Sequence, residues 1–357
     1  MNTTLETCRI LYNRLLAERK DAWEQSKSSL SCFEQQKHIK AWAEGHEYLP
    51  RVHSQVLQNV AVRIDLAFKA FLRRCKAGET PGYPRFKSFG VYDSYTHPQS
   101  GFDLLSDAVR LSKIGTVKAV VHRTIEGKIK TCTVRRQNGK WFACFSIEVE
   151  AQPLPASSEA VGIDVGLESF VTLSSGEKVE NPRFFRCDEK ALAKAQRRLS
   201  KLEKGTPQRR KARKVVARIH ERIRNRRHNF THQTARKVVN RFGVIAAEKL
   251  NVKGMQGNHC LAKSIGDAAW SQFRNVLAVK AASAGRAYIE VDPRYTSQDC
   301  HQCGHRAKKK LSERWHFCPM CSASLDRDEN AALNILALGL KSIGKQSVEA
   351  PAFMRGE

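Results

Sequence analysis

Residues 292–339 read DPRYTSQDCHQCGHRAKKKLSERWHFCPMCSASLDRDENAALNILALG. Two CxxC pairs, Cys300/Cys303 and Cys318/Cys321, stand here with fourteen residues between them. Each pair puts two thiols on one tight knuckle. Two knuckles joined by a short basic loop make a tetrahedral four-sulfur site, which suits one structural zinc ion. Because four thiolates complete a tetrahedron, the flanking His301, His305 and His316 are expected at the surface or on phosphate rather than on the metal. Directly after the second knuckle, DRDENAALNI is a carboxylate-rich turn entering a helix. Asp326 and Asp328 lie two apart at that entry. One can cap the helix while the other projects to a metal, and spacing leaves open which.

Working outward, two upstream segments read as strands that each carry one acid. In VGIDVGLESFVTL (161–173), Val161, Ile163 and Val165 alternate around Asp164, and Gly166 opens a turn into a second strand. Strand, tight turn, strand fits the opening hairpin of an RNase H-like α/β sheet. An unpaired carboxylate among apolar neighbours is costly, and a metal ion offsets that cost. GVIAAEKL (243–250) is a short buried strand with Glu248 near its C-terminal end, where ligands of open α/β sheets gather. Asp164, Glu248 and Asp328 on three separate elements can hold two Mg²⁺ ions for phosphodiester hydrolysis. The competing reading makes them salt-bridge partners in a very basic protein.

How basic is plain from the counts: 62 Lys and Arg against 35 Asp and Glu give a formal charge of +27 over 357 residues. Such an excess calls for a polyanionic partner, and nucleic acid is the obvious one. The length allows two or three domains. Of eleven cysteines, the seven outside the knuckles (Cys8, Cys32, Cys75, Cys132, Cys144, Cys187, Cys260) have no pairing rhythm, which predicts a reducing interior. The opening MNTTLETCRILYNRLL is amphipathic without an apolar secretory core, and no run approaches a membrane span. The protein is expected to be intracellular and soluble.

Along the chain, residues 3–75 read as helices, with Leu5, Cys8, Leu11, Tyr12, Leu15 and Leu16 at helical spacing. KAGETPGYPRFKSFG (76–90) breaks the helix, and Arg85 and Lys87 flank Phe86 there. That interleaving suits phosphate contact with base stacking, or a linker whose aromatics tuck inward. Residues 108–150 turn to short antiparallel strands, with Asn138-Gly139 as a hairpin turn. They suggest a small barrel or wrapped sheet. AQPLPASSEA (151–160) is a linker. Residues 188–241 hold nineteen Lys and Arg against four acids. They read as two helices broken at Lys204-Gly205-Thr206-Pro207, one with a Leu192, Ala195, Leu199, Leu202 stripe and the other with Val215, Ile219 and Ile223. The faces opposite carry Arg197, Arg198, Arg209, Arg210, Arg213, Arg224, Arg226 and Arg227, expected along a nucleic-acid backbone with a steep salt dependence.

With those residues in view, the sequence resembles the transposon-encoded OrfB/TnpB proteins, RNA-guided DNA endonucleases related to type V CRISPR effectors. The likeness runs from LETCRILYNRLL through GYPRFKS, KIKTCTVRRQNGKWF, GIDVGL, AAEKL, YTSQDCHQCG and FCPMC to DRDENAALNI. It implies a multidomain α/β protein. A helical recognition lobe (1–88) and a β-barrel wedge (89–152) would precede a RuvC-type, RNase H-like nuclease domain (153–295, with the basic insertion 188–241). A zinc ribbon (296–322) would interrupt that domain before its final helix (323–345), and 346–357 would be a loose tail. By resemblance the metal-holding catalytic acids are Asp164, Glu248 and Asp328, with Asp326 at the helix entry and Asn330 in support. The implied partners are a guide RNA from the transposon end and a target DNA beside a short adjacent motif, in a prokaryotic cytoplasm near the nucleoid. Family members begin with a short strand and a Lys/Arg-containing segment ahead of the first helix. Here Met1 falls almost at that helix, so the wedge is expected without its first strand. Two other activities fit the same residues: guide-dependent DNA binding without cleavage, and strand-transfer transposition.

Overall fold

A computed structural model describes residues 1–308 and 313–348, which fall into two compact units, Met1–Glu150 and Ala151–Glu357. The expected loose tail lies from residue 349 onward outside the described residues. The last helix itself runs through Val348, three residues beyond the expected end.

Unit 1 begins with α1 (Asn2–Ser26), α2 (Cys32–Ala43) and α3 (Ser54–Lys76). The apolar stripe of α1 faces inward, and Cys8, Leu11, Leu15 and Leu16 are buried. A capping box starts α2: Ser31 Oγ accepts from the Glu34 amide, and Glu34 Oε2 accepts from the Ser31 amide at 2.8 Å. Four residues past the 76–90 loop comes β1 (Ser94–His97), followed by β2 (Phe102–Leu104), β3 (Ala108–Leu111), β4 (Gly115–Lys118), β5 (Lys128–Gln137) and β6 (Lys140–Glu148). They form two antiparallel sheets, β1-β5-β6 and β2-β3-β4. Asn138 and Gly139 both take positive φ, 51° and 81°, as the two-residue turn between β5 and β6 demands. Helices and strands share one core, in which Leu15 and Ile64 belong with Tyr95, Val109 and Val134. The expected lobe and wedge therefore pack as one body, with no break at residue 88.

That core holds an acid-sensitive group. His97 is 1% exposed, and its ring lies 5.6 Å from His53 and 5.9 Å from Tyr95. Burial first, then the neighbouring His53, hold its pKa down at about 4, against a weaker opposing contact with the Ser100 backbone. A folded pKa below the unfolded value means that the unfolded chain takes up the proton first. Stability is whole above about pH 6.5 and falls as pH drops toward 4, by about 2 kcal/mol at pH 5. Melts of the full chain should show unit 1 weakening over that range, and His97→Phe should flatten the slope.

Unit 2 is built on one sheet. β7 (Ala160–Asp164), β8 (Ser169–Leu173) and β9 (Lys178–Glu180) form an antiparallel meander. Then α4 (Phe184–Ser200) and α5 (Pro207–Arg241) lead to β10 (Val244–Glu248). Short α6 (Val252–Met255) and α7 (Ala262–Ala268) precede α8 (Trp270–Ser283) and β11 (Ala287–Val291). The sheet order is β11-β10-β7-β8-β9, with β10 parallel to both β7 and β11. Its core joins Val161, Ile163 and Phe170 to Val238 of α5 and Phe273 and Leu277 of α8. The N-terminal half of α5 stands away from that core: Val215, expected in an apolar stripe, is 48% exposed. Between β11 and the last helix lie the cysteine knuckles, with β12 (Trp315–Phe317) paired to β13 (Ser324–Asp326). The chain closes with α9 (Arg327–Val348) lying across the sheet. Gly162 makes that approach possible, because a Cβ there would sit 1.9 Å from the Ala332 carbonyl oxygen.

Candidate active site and metal centre

Asp164 ends β7 and Glu248 ends β10, each one residue beyond the paired Ile163 and Ala247. Parallel pairing of adjacent strands therefore brings both acids to the same sheet end. Asp328 comes from the first turn of α9, and its Oδ2 lies 4.0 Å from where a Cβ on Gly166 would stand. Asp164 is half-buried by surface yet densely surrounded. Burial is the largest cause raising its pKa well above the usual carboxylate range, followed by the charges of Glu248 and Asp328, with Arg327 opposing. Glu248 is 8% exposed, and burial raises its pKa too, against a hydrogen bond from Thr296 and the charge of Arg274. The three acids thus share one pocket of negative charge.

The open choice at the helix entry has a definite outcome. Asp326 Oδ1 accepts from the amides of Asp328 and Glu329 at 3.0 and 3.2 Å, and Lys178 Nζ sits 2.7 Å from Asp326 Oδ2. Burial raises the Asp326 pKa, but Lys178 and those amides outweigh it and the net shift is downward. Asp326 is the cap, and Asp328 is the acid facing Asp164. Two arginines border the site. Arg327 bonds Asp328 Oδ1 through Nε and Nη2 at 3.2 and 3.1 Å. Arg314 reaches Asp328 Oδ2 at 3.8 Å and Glu168 at 3.1 Å. Arg327 stands inside the quoted DRDEN run, whereas nothing in the sequence marks Arg314. Thr296, in the YTSQDC run, was likewise unmarked, and its hydroxyl donates to Glu248 Oε1 at 2.8 Å.

The four cysteines meet. Their sulfur atoms all lie within 4.8 Å of one another, with Cys300–Cys321 at 3.6 Å and Cys303–Cys318 at 3.5 Å. A zinc tetrahedron with bonds of about 2.3 Å has sulfur–sulfur edges near ~3.8 Å, so the cluster has the size of that ion. Backbone amides close both knuckles: Gly304 N donates to Cys300 O and Ser322 N to Cys318 O, each at 2.9 Å. Among the described residues this is the only group of three or more His, Cys, Asp or Glu with ligand atoms that close together. The three carboxylates are spread wider. Of the flanking histidines, His305 is exposed as expected. His301 is half-buried and hydrogen-bonds Asn330 through its backbone amide at 3.1 Å. His316 corrects the expectation: it is fully buried on β12, because alternation along that strand turns it inward between exposed Trp315 and Phe317.

The basic helices are more tied down than their charge suggested. Arg227 pairs with buried Asp267 at 2.9 Å, and Arg226 lies 3.6 Å from Asp188, which also binds Arg222. Arg209 donates to the Leu199 and Leu202 carbonyls at the end of α4. Those four guanidinium groups brace the helices. Arg197, Arg198, Arg210, Arg213 and Arg224 are exposed on them. In unit 1, Arg85 and Phe86 are exposed, while the Lys87 backbone is clasped by Asn13 and Arg9 of α1. Tyr83 tucks edge-on against Phe68 and Phe71, so the 76–90 loop is part linker and part exposed surface.

Comparison with known proteins gives consistent findings. The family described as "Probable transposase" (OrfB_IS605) matches residues 143–259. A "Cas12f1-like, TNB domain" matches 270–335, and a "Helix-turn-helix domain" of OrfB_IS605 matches 1–28, residues that form the single helix α1 here. A Streptomyces pristinaespiralis protein named "Putative RNA-guided DNA endonuclease" is 36% identical over 348 residues, covering 95% of this chain and 85% of the relative. "Putative RNA-guided DNA endonuclease InsQ" of Escherichia coli is 31% identical over 352 residues, covering 93% and 86%. Among solved structures, the cryo-EM Cas12f1–sgRNA–target DNA complex matches with a TM-score of 0.62 at 16% identity, over 94% of this chain and 81% of that one. At that identity the likeness speaks for the fold. No described helix is long and apolar enough to cross a membrane.

Proposed function

The chain belongs to the transposon-encoded OrfB/TnpB family, and on that premise we propose that it is an RNA-guided DNA endonuclease that hydrolyses DNA at a RuvC-type site. The observation that carries the reading is that the parallel register of β7 and β10 brings Asp164 and Glu248 to one sheet end, where burial first and then the charges of Glu248 and Asp328 oppose the ionisation of Asp164. Burying like charges side by side is costly, and divalent cations repay it. We read the β11-β10-β7-β8-β9 sheet with α9 as the RNase H-like nuclease core, and the two sheets of unit 1 as the wedge.

Asp164, Glu248 and Asp328 would hold Mg²⁺, since their donors are all hard oxygens. The three carboxylates together would hold two such cations. Metal bound there supplies Lewis-acid charge for phosphodiester hydrolysis and makes a water nucleophilic at neutral pH. The chain's own residues do the rest. Asp326 and Lys178 fix the start of α9, so that Asp328 faces the sheet end. Arg314 and Arg327 place positive charge beside the acids, where a scissile phosphate would approach. The four thiols would hold zinc, with soft sulfur and hard oxygen donors keeping the two metals apart. The exposed arginines of α4 and α5 would follow the backbone of a guide RNA and target DNA, whose sequence is read by base pairing.

The test uses the full chain with the RNA that co-purifies with it. Sequencing that RNA defines a target, and duplex DNA bearing it should be cut with Mg²⁺ and left intact with EDTA. Target binding without cutting would overturn the nuclease reading in favour of a DNA-binding regulator. Strand joining without guide RNA would overturn it in favour of a transposase.

A further inference from the structure

One hydroxyl joins the cysteine knuckles to the acid cluster. Thr296 follows β11 and is 4% exposed. Its Oγ1 lies 2.8 Å from Glu248 Oε1 and 3.1 Å from the Pro293 carbonyl oxygen. A hydroxyl has one proton to donate, and the nearer carboxylate oxygen takes it. Thr296 therefore fixes one oxygen of Glu248, the acid whose charge acts on Asp164.

Thr296 is itself clamped from α9. Asn334 Nδ2 donates to the carbonyls of Thr296 and Asp299 at 2.8 and 2.7 Å, spending both of its protons. One helical turn earlier, fully buried Asn330 donates to Asp299 O at 2.8 Å, and its Oδ1 accepts from the His301 amide at 3.1 Å. Asp299 and His301 flank Cys300. The same two amides thus hold the first knuckle and the loop that carries Thr296.

We propose that Thr296 is a positioning residue for Glu248, set in place by Asn330 and Asn334 against the first cysteine knuckle. This rests on the reading of Glu248 as a cation ligand. Partners that orient a ligating carboxylate change metal affinity by about 10–100-fold when removed. The device would tie the thiol cluster and the acid cluster to one helix, so that assembling the knuckle fixes the carboxylate.

The experiment is a Mn²⁺ titration of the RNA-free full chain, followed by electron paramagnetic resonance, alongside Mg²⁺-dependent cleavage by the RNA complex. Thr296→Val and Thr296→Ala should each raise the half-saturating Mn²⁺ about tenfold. Thr296→Ser should stay within about twofold of the parent, because it keeps the donor. In cleavage, the hydroxyl-free variants should need more Mg²⁺ while approaching the parent rate at saturation, a split that mere loosening of the fold would not give. Asn334→Leu should weaken Mn²⁺ in the same direction without touching either Thr296 Oγ1 or Glu248. A folded Val or Ala variant that binds Mn²⁺ like the parent would overturn the proposal. If Asp164→Asn also binds Mn²⁺ like the parent, the reading of the carboxylates as cation ligands fails instead.

Discussion

Asp164→Asn is expected to abolish cleavage and at the same time raise the melting temperature of the metal-free protein. The activity loss should be at least about a thousandfold, or about 4 kcal/mol of barrier, because the substitution removes a charged donor from the centre of the acid cluster. Guide RNA binding should be unchanged, since Asp164 stands at the sheet end rather than on the basic helices. The stability gain follows from the sign of the pKa shift. Burial, Glu248 and Asp328 raise the folded pKa of Asp164 above its unfolded value. Such a group stabilises the fold when protonated, and that contribution is lost as pH rises through the folded pKa. At neutral pH without divalent ions the acid is a liability, because the fold disfavours the charge that the unfolded chain carries freely, and a neutral amide of the same shape relieves it. A gain of about 1 kcal/mol corresponds to roughly 2–4 °C for a unit of this size. Mg²⁺ should then raise the melting temperature of the parent and leave the variant where it is. A variant that cuts at the parent rate, or that melts lower in metal-free buffer, would refute the assignment.

This opposition explains what was legible in the sequence. The acids could be found because each breaks a strong local pattern: Asp164 interrupts an apolar alternation, and Glu248 ends a buried strand. The cysteine pairs announce themselves by spacing, since a tetrahedral ion imposes the same knuckle wherever it is bound. The bracing of the arginines was invisible, because partners such as Asp188 and Asp267 lie 34 and 40 residues away from Arg222 and Arg227. Charge runs report how many cations a helix carries, not which are engaged. His316 was misplaced for a related reason: proximity to a metal motif says nothing about which face of a three-residue strand a side chain occupies. Thr296 and Asn334 work through a few hydrogen bonds between elements, which leave no periodicity, and Asn330 was marked only by the family resemblance. The sequence pattern located the chemistry at its ligands; the contacts that aim those ligands needed the fold.

The double substitution Cys318→Ala/Cys321→Ala should unfold the knuckle segment while sparing the core of residues 1–150. The segment has almost no apolar support: its buried cluster is Cys300, Cys318 and Ala323, and its strands are three residues each. So small a core cannot offset the entropy of ordering the loops around it. Zinc bound by thiolates contributes about 10–16 kcal/mol in comparable small sites, so a zinc ion held there would serve as the core of the segment. Within the metal-free cluster the thiols are unequal. Burial pushes the Cys318 thiol up, but the Cys321 and Met320 amides outweigh it and hold the pKa at about 6. Cys321 goes the other way: a hydrogen bond from the Ala323 backbone pulls its pKa down, but burial and the Cys303, Cys300 and Cys318 thiols together overcome it and push it to about 12. Thiolates packed this closely need a cation to coexist. Metal analysis should fall from about one zinc per chain to near zero, and amide exchange across residues 300–308 and 313–324 should lose its protection. Cleavage should drop by at least about a hundredfold, because the segment carries Arg314 and the loop of Thr296 to the acid cluster. Protection retained in a zinc-free variant would show that the knuckles stand without metal. Full cleavage in such a variant would show that the acids are aimed by the sheet alone.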